Sequence, residues 1–315
     1  MATTTSITST YAGESAGKYI SAALLTGNTI ANGGLTIRPN VKFKEVVKRL
    51  ELDGIVKNGT CDFNDTSTLT LTERILEPKE LQVNLELCKK DFRSDWDAVQ
   101  MGYSAFDNLP SSFQDYLLSY TASKVAQKNE QNIWAGVDGE GSFDGFQALL
   151  AADADLPTDN EIAGTTVTAA NVIAELGKVA DAIPAELYGR EDLYIYVSQN
   201  VFRAYKRALG GFAANGVGAN GLMAQGTNQD IDIQFFDGIK LVAANGLADN
   251  TMIATLKSNL YFGTGLLSDH QEVRVLDMAD LDGSSNVRFI MKYSAGVQYA
   301  VVEDIVTYGI VNSAN

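Results

Sequence analysis

Few residues in this chain have the types and spacings that support chemistry, and each group stops short of a working constellation. Gly216-Val217-Gly218-Ala219-Asn220-Gly221 has the GxGxxG spacing. In a dinucleotide site that pattern follows a strand and opens a helix, so that the pyrophosphate meets free helix N–H groups. Here Gly210-Gly211-Phe212-Ala213-Ala214-Asn215 precedes it and Gln225-Gly226-Thr227-Asn228 follows. The glycines therefore belong to a long loop. Gly13-Glu14-Ser15-Ala16-Gly17-Lys18 is one residue short of a phosphate loop, and Tyr19 stands where Ser or Thr should hold magnesium. Asp277, Asp280 and Asp282 before Gly283 hint at a calcium loop. Met278 in a ligand position and the missing terminal Glu favour a hairpin turn instead. His270 is the single histidine, with no GxSxG elbow or paired cysteine to act on. It cannot complete a four-ligand zinc site with Cys61 and Cys88. No catalytic residue, cofactor or metal is expected.

What remains is a protein whose surface is the functional object. At 315 residues and 45% hydrophobic composition the chain suits two linked lobes better than one core. No apolar run approaches the roughly 18 residues of a membrane span. Met1-Ala2-Thr3-Thr4-Thr5 has none of the features of a secretory signal. Two cysteines without a ligand pattern read as reduced thiols in a cytosol-like compartment. A net charge of −15 argues against a nucleic-acid-binding module, which needs clustered Lys and Arg. It does not argue against a protein that only encloses nucleic acid. The 39 acidic residues make chance carboxylate pairs certain, and no pattern places two of them in one cleft.

The elements that carry this surface can be read in order. Residues 1–34, rich in Thr, Ser, Ala and Gly, bury little and read as an extended arm or a frayed end. Leu69, Leu71 and Ile75 alternate, and Leu81, Val83, Leu85 and Leu87 continue the alternation beyond Pro78. The facing run Val41–Leu52 is mixed, because Phe43, Val47 and Leu50 also fit a helix. Turn residues lie between the two runs (Asp53-Gly54, Asn58-Gly59, Asn64-Asp65), so residues 35–87 read as a projecting hairpin. A short helix is expected within 91–109. A long helix should follow over 111–136, opened by the Ser111/Gln114 capping pair. Val172, Leu176, Val179 and Ile183 form a helical stripe, Leu193–Val197 a buried strand, and Val201, Phe202, Tyr205 and Leu209 a second stripe. Asp237-Gly238 is a two-residue hairpin turn. Strand runs are expected at 273–276, 287–291, 297–302 and 305–310.

Charge is unevenly placed along the chain. Arg38, Lys42, Lys44, Lys48, Arg49 and Lys57 are six basic residues against three acidic ones in the same stretch, whereas residues 129–177 hold nine acidic residues and no basic one. The two stretches are either separate solvated faces or complementary patches on neighbouring copies.

The C-terminal part resembles the major capsid proteins of tailed bacteriophages, those with the Hong Kong-ninety-seven shell fold. The matching residues are Asn259-Leu260-Tyr261-Phe262-Gly263-Thr264, Leu276-Asp277-Met278, Asp282-Gly283-Ser284, Asn286-Val287-Arg288-Phe289, Ala295-Gly296-Val297-Gln298 and Asp304-Ile305-Val306. The resemblance implies an α+β fold in several parts. These are an N-terminal arm (1–34), an extended hairpin loop with adjoining strands (35–87), a peripheral domain (88–164 and 256–315) with spine helix 111–136, and an axial α/β domain (165–255). It implies a subunit of pentamers and hexamers in an icosahedral shell around double-stranded DNA, assembled in host cytoplasm and kept in the virion. Portal, scaffold and decoration proteins are the further partners, and no membrane is involved. The six basic residues from Arg38 to Lys57 become candidate inter-subunit contacts. No Lys–Asn pair can be matched to the isopeptide cross-link of some members. An encapsulin-type nanocompartment shares the fold and stays open as an alternative. A nucleotide-using enzyme built on residues 165–255 is the reading of a different class.

Overall fold

The computed structural model describes residues 28–31, 34–53, 56–59, 61, 68–88, 111–210, 234–265, 274–279 and 283–314. The expected arm before residue 28, the short helix in 91–109, the GxGxxG loop, the Gly13–Lys18 segment, His270, Asp280 and Asp282 lie outside these residues.

In chain order the first elements are helix α1 (Asn28–Ala31) and strands β1 (Thr36–Arg38), β2 (Glu45–Asp53), β3 (Thr68–Leu76) and β4 (Lys79–Cys88). Helices α2 (Ser111–Ala135) and α3 (Phe146–Ala151), strand β5 (Glu161–Ile162) and helix α4 (Val172–Asp181) follow. Strand β6 (Leu193–Val197), helix α5 (Gln199–Gly210) and strands β7 (Gln234–Phe236), β8 (Ile239–Ala243), β9 (Met252–Leu256) and β10 (Leu260–Thr264) come next. Strands β11 (Arg274–Asp277), β12 (Asn286–Tyr299) and β13 (Val306–Tyr308) end the chain.

The chain divides into two compact units. One comprises Met1–Thr26, Glu80–Asn129 and Leu266–Ser294, the other Gly27–Lys79, Glu130–Gly265 and Ala295–Asn315. In the first, β4 and β11 pair with β12, the latter antiparallel with Val275 opposite Phe289. Arg288 and Asn286 on β12 both hydrogen-bond the Glu86 carboxylate, and Tyr293 donates to Asn129. Cys88 is half-buried and Cys61, in the second unit, is exposed; both are free thiols. Replacing both with Ser should leave the melting temperature unchanged with or without reductant. A drop confined to oxidising conditions would reveal a pairing that this geometry lacks.

The second unit holds the main core. Six strands in the order β5-β13-β9-β6-β8-β7 form its sheet. The helical stripe read from sequence is what packs on it: Val172, Leu176, Val179 and Ile183 are buried together with Val201, Phe202 and Tyr205 of α5 and Ile195 and Val197 of β6. Strand β6 is parallel to β8, with α5 and β7 between them in the chain. Asp237 and Gly238 both adopt positive φ (51° and 80°), the backbone that a tight two-residue turn between antiparallel β7 and β8 requires. A second sheet in this unit runs β1-β10-β12, with β1 parallel to β10 and Gly263 directly opposite Gly296.

The hairpin expected over 35–87 is present, and the ambiguous run Val41–Leu52 is a strand from Glu45, because pairing with β3 over nine registered positions decides what local periodicity left open. One expectation changes. Val297 does not start a new strand. It continues β12 unbroken from Asn286, since Tyr293-Ser294-Ala295-Gly296 contains no turn signal and Gly296 serves another purpose, described below.

Candidate functional site: a two-faced hairpin and its root

β2 and β3 form a separate two-stranded antiparallel sheet. Residues directly opposite across such a pair share a face. The register therefore puts Val46 with Ile75 and Lys48 with Glu73 on one face, which Leu71 and Leu69 of β3 continue. It puts Glu45 with Leu76, Val47 with Arg74 and Arg49 with Thr72 on the other.

The two faces have different fates. On the second, Leu76 is fully buried, and two arginines reach acids of the same unit. Arg74 Nη1 lies 2.7 Å from Asp153 Oδ2 and Nη2 3.7 Å from Asp155. Its guanidinium stacks 4.7 Å above the centre of the Tyr299 ring, and the Tyr299 hydroxyl donates to the same Asp153 carboxylate. Arg49 Nη1 contacts Glu303 at 2.6 Å. On the first face no comparable contact is made by the described residues, and the apolar residues stay exposed. Leu69, Leu71 and Ile75 are 57%, 61% and 46% exposed, Val46 is 42% exposed, and Phe43 nearby is 83% exposed. The Lys48–Glu73 pair interrupts this face between Ile75 and Leu71, and the exposed apolar side chains on either side of it make it a candidate contact surface.

Asp153 illustrates the electrostatics of the root. Burial alone would raise its pKa. Hydrogen bonds from Tyr299 and the Asp155 backbone, together with the Arg74 guanidinium, outweigh burial and hold the carboxyl below the ordinary aspartate value. Burial, reinforced by the bond to Asp153, pushes the Tyr299 phenol well above its ordinary value, so it stays a donor.

The six basic residues expected at a subunit contact are scattered along this region. Arg38 ends β1 with its guanidinium over the Tyr261 ring, 5.0 Å from the centroid. Lys44 pairs with Glu77 at 2.9 Å in an exposed contact. Arg49 is turned to Glu303, as above. Lys42, Lys48 and Lys57 are exposed. Sequence reading passed over Arg74 and Lys79, two hairpin-root cations that meet the acidic stretch 129–177 within one chain: Arg74 as described, and Lys79 through Asp138. The signal for Arg74 was available, because it alternates out of phase with Leu69, Leu71 and Ile75 on a strand with two unlike faces.

No protein-family model and no curated protein matches this chain. Solved structures do. The chain is similar to the capsid of the native GTA particle computed with C5 symmetry, with a TM-score of 0.63 at 15% identity over 92% of each chain. It is similar to a chain of Mycobacterium phage Adephagia, with a TM-score of 0.57 at 14% identity over 91% of each. It is also similar to the capsid of Myoviridae Phage XM1, with a TM-score of 0.55 at 14% identity over 92% of this chain and 94% of that one. These matches span nearly the whole chain. The fold is the mixed α+β shell fold of tailed-phage capsid proteins.

Proposed function

We propose that this chain is a shell-forming structural subunit, the major capsid protein of a tailed phage or phage-like particle. Copies close as pentamers and hexamers into an icosahedral shell around double-stranded DNA. The observation that carries this reading is the two-faced hairpin on a capsid fold. One face is tied to its own subunit by Arg49, Arg74 and Leu76, and the other offers Leu69, Leu71 and Ile75 to solvent. A soluble enzyme gains nothing from such a projection, whereas a shell subunit gains a large interface from it.

In this reading residues 1–34 are an arm laid over neighbours, and 35–87 are the extended loop with its adjoining strands. Residues 88–164 and 256–315 form the peripheral domain around spine helix 111–136, and 165–255 the axial domain near symmetry axes. Lys42, Lys48 and Lys57, exposed along the hairpin, supply its charged contacts to the next copy, with Arg38, Lys44 and Arg49 nearer the root. Portal, scaffold and decoration proteins are the additional partners. The protein assembles in host cytoplasm and resides in the virion. It performs no catalytic step and needs no cofactor.

Negative-stain imaging of the full chain, purified after expression on its own, tests this. The expected result is closed shells of uniform size. Single subunits at every concentration and ionic strength would overturn the reading. The contents separate the two uses of the fold: DNA-filled particles mark a capsid, and particles holding one cargo protein mark an encapsulin-type compartment.

A further inference from the structure

The hairpin leaves the body at one point, and that point is built from glycine. Gly263 on β10 and Gly296 on β12 face each other in register. Neither has the positive φ that would make glycine a backbone necessity. Their role is steric. A Cβ on Gly296 would stand 2.9 Å from Pro78 Cα and 3.0 Å from the Glu77 carbonyl oxygen, and one on Gly263 would stand 2.9 Å from Leu76 Cδ2 and 3.1 Å from Pro78 Cγ. The segment Leu76-Glu77-Pro78, where β3 passes into β4, thus rests on bare sheet backbone. The incoming leg is tied to the same place: the Asn40 and Val41 N–H groups donate to the Gly265 and Thr264 carbonyls at 2.7 and 3.0 Å. One turn further out, Gln298 Nε2 donates to the Ile75 carbonyl at 3.0 Å, and Arg74 reaches Asp153 and Tyr299.

We propose that Gly263 and Gly296 form a steric seat that sets the hairpin's angle, and that Arg74, with Asp153, Asp155 and Tyr299, is the brace that holds it there. These are positioning residues for the subunit contact, a consequence that rests on the shell reading; the seat and brace themselves belong to the free subunit. Backbone approach makes Gly296 the stricter position, because Pro78 Cα and the Glu77 oxygen cannot rotate away, whereas the Leu76 side chain facing Gly263 can yield. To restore ordinary contact an alanine at 296 must lift the root by about half an ångström. The nine residues of β2 at about 3.3 Å each carry that tilt to a tip about 30 Å away. The brace differs in kind. Arginine both stacks and forks onto carboxylates, and no uncharged side chain does both.

Cys61, exposed between the two strands, gives a native labelling site. With Cys88→Ser and Asp159→Cys as background, paired spin labels report the hairpin-to-body distance in dilute, unassembled subunit. The labelled parent should give one narrow distribution. Gly296→Ala should shift its centre while folding is retained, and Gly263→Ala should shift it less. Arg74→Gln should broaden it around the parent's centre, and Arg74→Lys should restore only part of the narrowness. If Gly296→Ala fails to fold, the Gly263→Ala shift and the Arg74→Gln broadening decide. Parent-like distributions in every folded variant would overturn the proposal. Shell imaging of the same proteins keeps the two ideas apart: absence of shells from the parent refutes the shell reading and leaves the seat standing.

Discussion

Replacing Leu69, Leu71 and Ile75 together with Thr is expected to leave the subunit folded at the parent's melting temperature and to abolish shells at concentrations where the parent assembles. Threonine keeps the strand preference of a branched side chain. Since the three residues are roughly half exposed in the single chain, their loss takes little from the subunit's own core. What is lost is burial against a partner. Fully burying such a side chain contributes about 1.5–3 kcal/mol, and completing the burial of one already half covered contributes about 1 kcal/mol. Three give about 3 kcal/mol per contact, or about 150-fold in affinity, and a closed shell repeats the contact at every subunit.

The charged residues of the hairpin should matter less. Exposed ion pairs contribute about 0–1 kcal/mol each and are screened by salt. Lys42→Glu with Lys48→Glu and Lys57→Glu should therefore raise the assembly concentration less than the threonine variant does, and only at low salt. Sedimentation of assembly reactions across a concentration series reads both effects. Normal shells from the threonine variant at the parent's concentration would show that the exposed face is not an interface.

How far the sequence foretold this depends on the kind of signal. The exposed face was legible as alternation at Leu69, Leu71 and Ile75, because a strand's period of two survives without knowledge of its partner. The partner strand was not, since Phe43, Val47 and Leu50 satisfy a helical spacing equally well. Only the register with β3, which places Val46 opposite Ile75 and leaves Phe43 outside the strand, resolves it. The charge asymmetry was visible as counts, but counts do not pair residues. Arg74 meets Asp153 across 79 positions of chain and Arg49 meets Glu303 across 254, separations at which local patterning carries no information. The Gly263/Gly296 seat was hidden for the same reason. A glycine required by close approach looks in sequence like any other glycine until the segment lying on it is known.

Trp134→Ala should produce the largest loss of stability in the molecule, and the buried carboxylate beside it should give that region a measurable pH dependence. Trp134 is fully buried between Phe146 and Tyr196, with ring centroids 5.3 and 5.0 Å away. Its indole N–H donates to Thr29 Oγ1 at 2.8 Å, and the Thr29 hydroxyl and N–H both donate to the Glu130 carboxylate. Removing a buried Trp costs about 3–5 kcal/mol, a large part of the 5–15 kcal/mol typical of a domain. It also strands Thr29, which anchors α1. The variant should melt far below the parent or fail to fold. Glu130 isolates the charge from the packing. Burial raises its pKa above the ordinary glutamate value, against the hydrogen bonds from Thr29 and Trp134 that lower it. A raised folded-state pKa means that the contribution is complete below the unfolded value and is lost as pH rises through the folded one. Glu130→Gln mimics the neutral form at every pH, so its melting temperature relative to the parent should climb over the pH range above the ordinary glutamate value. A difference that stays flat over that range would mean that the carboxylate is as comfortable in the fold as in water, and that Thr29 and Trp134 fully offset its burial.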